Sequence, residues 1–259
     1  AALRFAQAAG VPSACVERHR FPDGELKLRL PSSVPARVIL YRSLVNPSEK
    51  LVELLFVAQT ARHLGGYDLT LVAPYLAYMR QDIAFNDGQV VSQKIIGKFL
   101  ASMFDGIVTV DPHLHRVATL EEAAPVKRPV VLSGAPLLGD YIAERQADAF
   151  LLGPDSESAQ WIASAARAHG FDHAACDKIR HGDKDVTVQL PEVNLKGRSV
   201  VILDDVASSG RTLAKATHAA LDAGAASVDV AVTHALFADD AMKVIMESGV
   251  RHVWSTDCI

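Results

Sequence analysis

A chain of 259 residues can form one large domain or two of ordinary size, and 49% hydrophobic with 22% charged residues excludes a disordered chain. The net charge of −4 excludes a global basic field for nucleic acid or an anionic membrane, so a polyphosphate would need local cations and a divalent metal. No apolar run approaches a membrane span and no signal peptide is visible. Cys15, Cys176 and Cys258 lack metal-ligand spacing and read as reduced thiols of a cytoplasmic protein. Ala1 stands where an initiator Met is expected, and Ile259 closely follows a strand-like segment. Short terminal pieces are therefore expected beyond the given ends.

In chain order, Pro22-Asp-Gly24 makes a turn before an alternating strand of Leu26, Leu28 and Leu30, with Lys27 and Arg29 on its other face. Val38 to Tyr41 reads as a short buried strand. Pro47 to Leu64 reads as an amphipathic helix with Leu51, Leu54, Leu55 and Ala58 on one face, stopped by Gly65-Gly66. Leu69 to Ala73 is a strand, Ser92 caps a helix running to Phe104, and Ile107 to Val110 is a strand. The alternation then restarts. Strand Val130 to Leu132, helix Pro136 to Gln146, strand Ala149 to Leu152, helix Ser156 to His169 and strand Phe171 to Cys176 follow. Lys178 to Lys184 reads as a polar excursion before extended Val186 to Leu190. Strand Val200 to Leu203, helix Thr212 to Leu221, strand Val228 to Thr233, helix Asp239 to Glu247 and strand His252 to Trp254 complete the chain. Strand and helix in alternation predict parallel sheets. Two runs of similar length predict two like domains, 1–134 and 135–259, without a strict sequence repeat.

The most informative stretch is Ser199 to Leu213. Four apolar residues, Val200 to Leu203, lead to the adjacent carboxylates Asp204 and Asp205, expected where the strand ends. A small-residue turn, Ala207 to Gly210, then opens a helix. Ligands of open α/β sheets bind outside the carboxyl ends of strands, and a helix N-terminus suits phosphate. The acids would repel a phosphate but accept hydrogen bonds from vicinal hydroxyls, so together they fit a phosphorylated sugar. The same spacing also fits a plain βα turn with a capped helix.

Four further groups carry candidate chemistry. Arg80 and Gln81, in Tyr78-Met-Arg-Gln-Asp82, suit phosphate and base contacts, or simply a solvated loop. His113, in Asp111-Pro-His-Leu-His115, is a possible metal or phosphate ligand at a strand end, or a surface residue. Asp155 is a helix cap or a carboxylate for a magnesium ion that keeps most of its waters. Lys178 and Arg180 are a solvated pair, or the cations of a loop that closes over a transferring phosphoryl group.

The order Phe21-Pro-Asp-Gly-Glu25, Arg80-Gln-Asp82, Asp111-Pro-His113, Gly153-Pro-Asp155, Lys178-Ile-Arg180 and Asp204 to Thr212 resembles ribose-phosphate diphosphokinase over essentially the whole chain. Tyr78 to Asp82, with Gln93-Lys-Ile-Ile-Gly-Lys-Phe-Leu100 after it, resembles the short archaeal-type enzymes. The resemblance implies two similar type I phosphoribosyltransferase-like α/β domains and diphosphoryl transfer from Mg-ATP to ribose 5-phosphate. It assigns Phe21, Asp23 and Glu25 to adenine in a neighbouring subunit's site, and Arg80, Gln81 and Asp82 to ATP. His113 and Asp155 match magnesium ligands, and Lys178 and Arg180 the catalytic loop. Asp204, Asp205 and the cradle Ser208, Ser209, Gly210, Arg211 and Thr212 match the ribose 5-phosphate site. A homodimer or larger homo-oligomer in the cytoplasm, without nucleic-acid or membrane partners, is implied.

Ser208 stands where many members carry an acid, Arg211 where they carry a small residue, and Ile83 where a lysine is common. These departures bear on turnover and affinity more than on reaction type. A phosphoribosyltransferase that uses the diphosphate product would need only the last motif and about one domain. A non-catalytic regulatory subunit would not need Lys178, Arg180, His113 and Asp155.

Overall fold

The computed structural model describes residues 1–180 and 186–259, apart from the side chains at 178–180, 186 and 187. The chain divides into two compact units, Ala1–Leu132 with Cys258–Ile259, and Ser133–Asp257. The last two residues join the first unit, where Ser43 Oγ donates to the Cys258 carbonyl at 2.7 Å. Among the described residues, no helix is long and apolar enough to cross a membrane.

The first unit begins with α1 (Ala2–Ala8) and the antiparallel hairpin β1 (Glu17–Arg20) and β2 (Leu26–Arg29). It continues through β3 (Arg37–Tyr41), α2 (Pro47–His63), β4 (Asp68–Val72), α3 (Ser92–Met103), β5 (Gly106–Val110), α4 (Leu120–Ala123) and β6 (Arg128–Leu132). Its parallel sheet has the order β3-β4-β5-β6, so sequence neighbours are also spatial neighbours. Leu51, Leu54 and Ala58 of α2 and Leu100 of α3 pack on Leu69, Leu71 and Ile107 of the sheet. Helix α3 starts at Ser92 itself, with Val91 as the capping residue and no side-chain cap. The Ser92 hydroxyl instead donates to Gln81 Oε1 at 3.3 Å, so the expected cap serves the neighbouring loop.

The second unit contains α5 (Ala135–Ala143), β7 (Phe150–Gly153), a 3-10 turn (Ser156–Ser158), α6 (Ala159–Ala166) and β8 (His173–Ala175). A two-stranded ribbon of β9 (Asp177–Arg180) and β10 (Val186–Gln189) follows. Then come β11 (Ser199–Ala207), α7 (Arg211–Asp222), β12 (Ser227–Ala235), α8 (Ala241–Glu247) and β13 (Val250–Ser255). The five-stranded parallel sheet has the order β13-β12-β11-β7-β8. Strand alternation explains the apolar run in β11. Val201 and Leu203 meet Ile142 of α5 and Ile162 and Ala165 of α6, while Val200 and Ile202 meet Leu213 and Ala216 of α7 and Ile245 of α8.

Lys178 and Arg180 sit on strand β9 rather than in a free excursion; Lys178 pairs with Val188 and Arg180 with Val186. Residues 181–184 of the expected excursion, and the side chains of Lys178 and Arg180, lie outside the described residues.

Asp229, fully buried on β12, ties the sheet to its surroundings. Arg251 donates to it twice, at 2.7 and 3.3 Å, Gln146 at 2.5 Å, and the His252 ring lies at 2.9 Å. Burial pushes this carboxyl up, but the hydrogen bonds from Arg251, Gln146 and His252 outweigh it and hold the acid below its ordinary range. In the first unit, burial of Asp105 is likewise outweighed by bonds from Arg62, the Leu69 N–H and Lys127. Both acids are depressed relative to an unfolded Asp near 3.9, so their stabilisation is present above that pH and is lost as pH falls through the folded values. Urea midpoints should therefore decline on acidification from about pH 5 downward. Asp229→Asn should cost about 3 kcal/mol or more at pH 7 and show a shallower acid decline than the parent; equal slopes would refute the assignment.

Candidate active site

In an open parallel sheet a crevice forms where the strand order reverses. The second unit reverses between β7 and β11, which neighbour each other although β8, β9 and β10 intervene in sequence. The pairing of β11 with β7 runs from Val200↔Phe150 to Ile202↔Leu152 and stops, while the pairing with β12 continues to Ala207↔Ala235. Asp204 and Asp205 thus lie inside a nine-residue strand, not at its end as expected, because β12 carries β11 past the point where β7 turns away. Asp155, Asp204 and Asp205 come together at the point where that pairing stops.

Gly153 closes β7, and a Cβ there would sit 2.1 Å from Ser158 Oγ, so only glycine lets the 3-10 turn fold back onto the strand end. Asp155 takes the capping role read for it from sequence: its Oδ1 accepts from the Glu157 N–H at 3.1 Å. Ser158 Oγ donates to the Asp155 carbonyl at 2.5 Å. Asp205 is buried and Asp204 half-buried, and the Asp205 N–H donates to Asp204 Oδ1 at 3.0 Å. Burial, then repulsion from Asp205 and from Asp155, holds the Asp204 carboxyl well above the ordinary carboxylate range. Three acids that repel one another make an oxygen-rich site whose charge a hard divalent ion or donated hydroxyls would relieve. Burial, with Asp155 and Asp177 adding to it, pushes the neighbouring Cys176 thiol up to about 12, so it contributes no thiolate at neutral pH.

Beyond the acids, Ala207 to Gly210 wraps into α7. Gly210 is the capping residue at φ +70°, where a Cβ would lie 2.8 Å from Ile245 Cγ1 and 2.9 Å from the Ala241 carbonyl of α8. As a glycine, Gly210 supplies no side-chain cap to the first-turn N–H groups of α7. The Phe237 and Ala238 N–H groups donate to the Ala207 and Ser208 carbonyls at 3.0 and 3.1 Å, which holds the turn open from the β12 side. Ser209 and Arg211 are exposed and Ser208 and Thr212 half-buried. Helix α7 begins at Arg211, one residue earlier than expected.

In the first unit, the loop after β4 and the end of β5 carry strained residues: Tyr78 at φ +64° and Asp111 at φ +36°, both without glycine's freedom. Each lies two residues before a predicted site residue, Arg80 and His113. The Gln93 N–H donates to the Gln81 carbonyl at 3.2 Å and Gln93 Nε2 to the Met79 carbonyl at 3.1 Å. These bonds leave Arg80 exposed and Gln81 half-buried, with Ile83 exposed beyond them. The Asp82 carboxylate is nearly inaccessible and accepts from Arg116 Nη1 at 2.6 Å, so its direct partner here is a cation that sequence reading did not single out.

The tip of the β1–β2 hairpin presents Phe21, Asp23 and Glu25, all exposed. Phe21 and Glu25 close it by a backbone bond of 2.9 Å, and Asp23 Oδ1 accepts from the Glu25 N–H at 3.1 Å. A lone two-stranded hairpin is marginal in water. Arg18 and Arg20 anchor this one to Glu49 of α2, and Arg18 also reaches Glu53 at 2.6 Å.

His115 and Arg116 are the residues that sequence reading passed over. The signal was present in Asp111-Pro-His-Leu-His-Arg116, but a second imidazole two residues on gains meaning only when the loop conformation is known.

The raised Asp204 group has a consequence for stability. Its folded value lies above its unfolded one, so its contribution to the stability of the second unit becomes unfavourable as pH rises above the ordinary carboxylate range. Asp204→Asn should raise the melting temperature by about 2–4 °C, corresponding to roughly 1 kcal/mol. A lowered melting temperature would refute this account.

Residues 2–103 match the N-terminal domain of ribose phosphate pyrophosphokinase, and residues 132–248 a phosphoribosyl transferase domain. The chain is 36% identical over its whole length to ribose-phosphate pyrophosphokinase 1 of Archaeoglobus fulgidus, covering 89% of that protein. It is 35% identical to ribose-phosphate pyrophosphokinase of Saccharolobus solfataricus, with 96% of this chain and 86% of that protein aligned. The fold matches the crystal structure of phosphoribosylpyrophosphate synthetase from Mycobacterium smegmatis with a TM-score of 0.84, at 23% identity, over 100% of this chain and 85% of that one. Two parallel α/β units, each matched by its own domain model, together with full-length similarity to the archaeal enzymes, establish that this chain belongs to the ribose-phosphate pyrophosphokinase family.

Proposed function

We propose that the protein transfers the diphosphoryl group of Mg-ATP to the 1-hydroxyl of ribose 5-phosphate. The hydroxyl oxygen attacks the β-phosphorus, the bond from that phosphorus to the α–β bridging oxygen breaks, and AMP leaves with that oxygen. The hydroxyl proton is released. The observation that supports this reading most is the unpaired edge of β11, where Asp204 and Asp205 stand between the β7 turn and the uncapped N-terminus of α7.

In this reading the N–H groups of the α7 first turn, with Ser208, Ser209 and Thr212, bind the 5-phosphate. Asp204 and Asp205 accept hydrogen bonds from the ring hydroxyls and orient the sugar. Arg211, exposed on that first turn, adds a positive charge near the phosphate without altering the backbone cradle. Arg80 and Gln81 contact the nucleotide, while Asp82 holds Arg116 in position beside them. Phe21, Asp23 and Glu25 grip adenine in a neighbouring subunit; an exposed ring and two exposed acids on an anchored hairpin suit that role. His113 and Asp155 would hold magnesium, and the mutual repulsion of Asp155, Asp204 and Asp205 fits a site that takes a cation. Magnesium supplies charge neutralisation on the phosphoryl oxygens. Lys178 and Arg180 offset charge on the transferring group. A loose transition state makes little demand for a general base, and none is assigned.

AMP should appear when the protein is mixed with ATP, ribose 5-phosphate and magnesium without any nucleobase, and it should vanish with chelator and return with excess magnesium. Formation of nucleotide only from 5-phosphoribosyl diphosphate plus a base would replace this function with that of a phosphoribosyltransferase. A shared site predicts complementation. Glu25→Ala and Lys178→Ala should each be nearly inactive, and mixed subunits should recover up to about a quarter of parental activity. No recovery after verified subunit exchange would remove the hairpin from the neighbour's site.

A further inference from the structure

The loop after β5 places two imidazoles against each other. Its start is pinned: the Val110 N–H donates to the Pro74 carbonyl at 3.1 Å and the Asp111 N–H to the Leu132 carbonyl at 2.9 Å. From Pro112 to Leu114 the backbone forms neither helix nor turn, and in extended chain alternate residues face the same way. Leu114 packs against the core of the first unit, which places His113 and His115 together on the opposite side. Their rings stand nearly perpendicular, at 86°, with centroids 3.7 Å apart. The contact is made by the two Nε2 atoms. Arg116, the next residue, is held by Asp82.

We propose that His113 and His115 form a two-imidazole chelate for a late first-row divalent ion such as Co2+, Ni2+ or Zn2+. Two Nε2 atoms in contact hydrogen-bond only when one of them carries a proton, and with both protons on Nδ1 the same two atoms offer lone pairs to a single ion. A rotation of the two side chains by on the order of 1 Å brings both nitrogens to about 2.0–2.1 Å from a shared ion. Magnesium demands oxygen ligands and keeps its waters, whereas imidazole selects the later ions, whose affinity rises toward copper. A single histidine among oxygen ligands is compatible with magnesium. A second one at this spacing moves the preference of the site toward borderline ions, so His115 is a specificity-determining ligand. The inference rests on His113 being a metal ligand, as in the proposed function, but it concerns which ion is held rather than which reaction follows.

The test is a Co2+ titration of the metal-free full chain, without nucleotide or sugar, read by the visible d–d absorption of bound cobalt. The parent should bind one Co2+, and His115→Ala should weaken that binding by roughly 10–100-fold. His113→Ala should weaken it at least as much, and His218→Ala, on the exposed face of α7, should leave it unchanged. His115→Gln, a polar side chain of similar length, should behave as His115→Ala. It provides the second variant if the alanine form melts early. Equal Co2+ affinity in the parent and a folded His115 variant would overturn the chelate, as would parental binding lost equally in His218→Ala. Cobalt binding as expected with no AMP formed from ATP and ribose 5-phosphate would leave the chelate standing and refute the proposed reaction. AMP formation with no cobalt chelation would do the reverse.

Discussion

The length of pairing along one strand governs the second unit. β11 is hydrogen-bonded on both edges only as far as Ile202; beyond that, β12 alone accompanies it to Ala207. One edge of the strand is thereby left to the crevice at the point where the sheet order reverses. Everything proposed for the sugar follows from that mismatch. Asp204 and Asp205 are carried into the open segment, the β7 chain turns off at Gly153 to bring Asp155 beside them, and Gly210 lets α7 begin against α8. A β7 three residues longer would close the same edge with ladder hydrogen bonds and leave no room for a ligand.

Such a crevice is costly for the fold. Burial, with Asp205 and Asp155 beside it, raises the Asp204 carboxyl above its ordinary range, and the strained residues of the first unit, Tyr78 and Asp111, occur beside its own candidate groups. Stabilisation comes from elsewhere: the two-sided apolar packing of β11, the buried Asp229 with its donors, and Asp105 with Arg62 and Lys127. The contrast between well-satisfied structural acids and mutually repelling site acids is physical and does not depend on family membership.

Most elements were legible because their signals are local. The α2 face of Leu51, Leu54 and Ala58 follows from helical period, and the unbroken Val200 to Leu203 run follows from burial on both faces. Misplaced details involve partners distant in sequence. Ser92 reads as a cap by composition, yet its hydroxyl goes to Gln81 eleven residues earlier. The helix read from Ser156 opens instead with a 3-10 turn, because Gly153 allows the chain to fold back onto the strand end. β11 outruns its expected end because β12 supports it, and Lys178 and Arg180 lie on a strand because β10 pairs with them. Short α1 and α4 carry too few residues for a periodic signal.

By itself, the sequence determined the alternation of strands and helices, the two-unit organisation and, through motifs in fixed order, the family. These depend on residue type and on spacing along the chain, which are one-dimensional quantities. Only the tertiary structure decided which edge of β11 stays open, that Asp82 is engaged by Arg116, and that His113 and His115 meet at their Nε2 atoms. Those outcomes depend on where a neighbouring strand stops and on which side chain the core takes in, here Leu114. Both are set by packing between segments far apart in sequence.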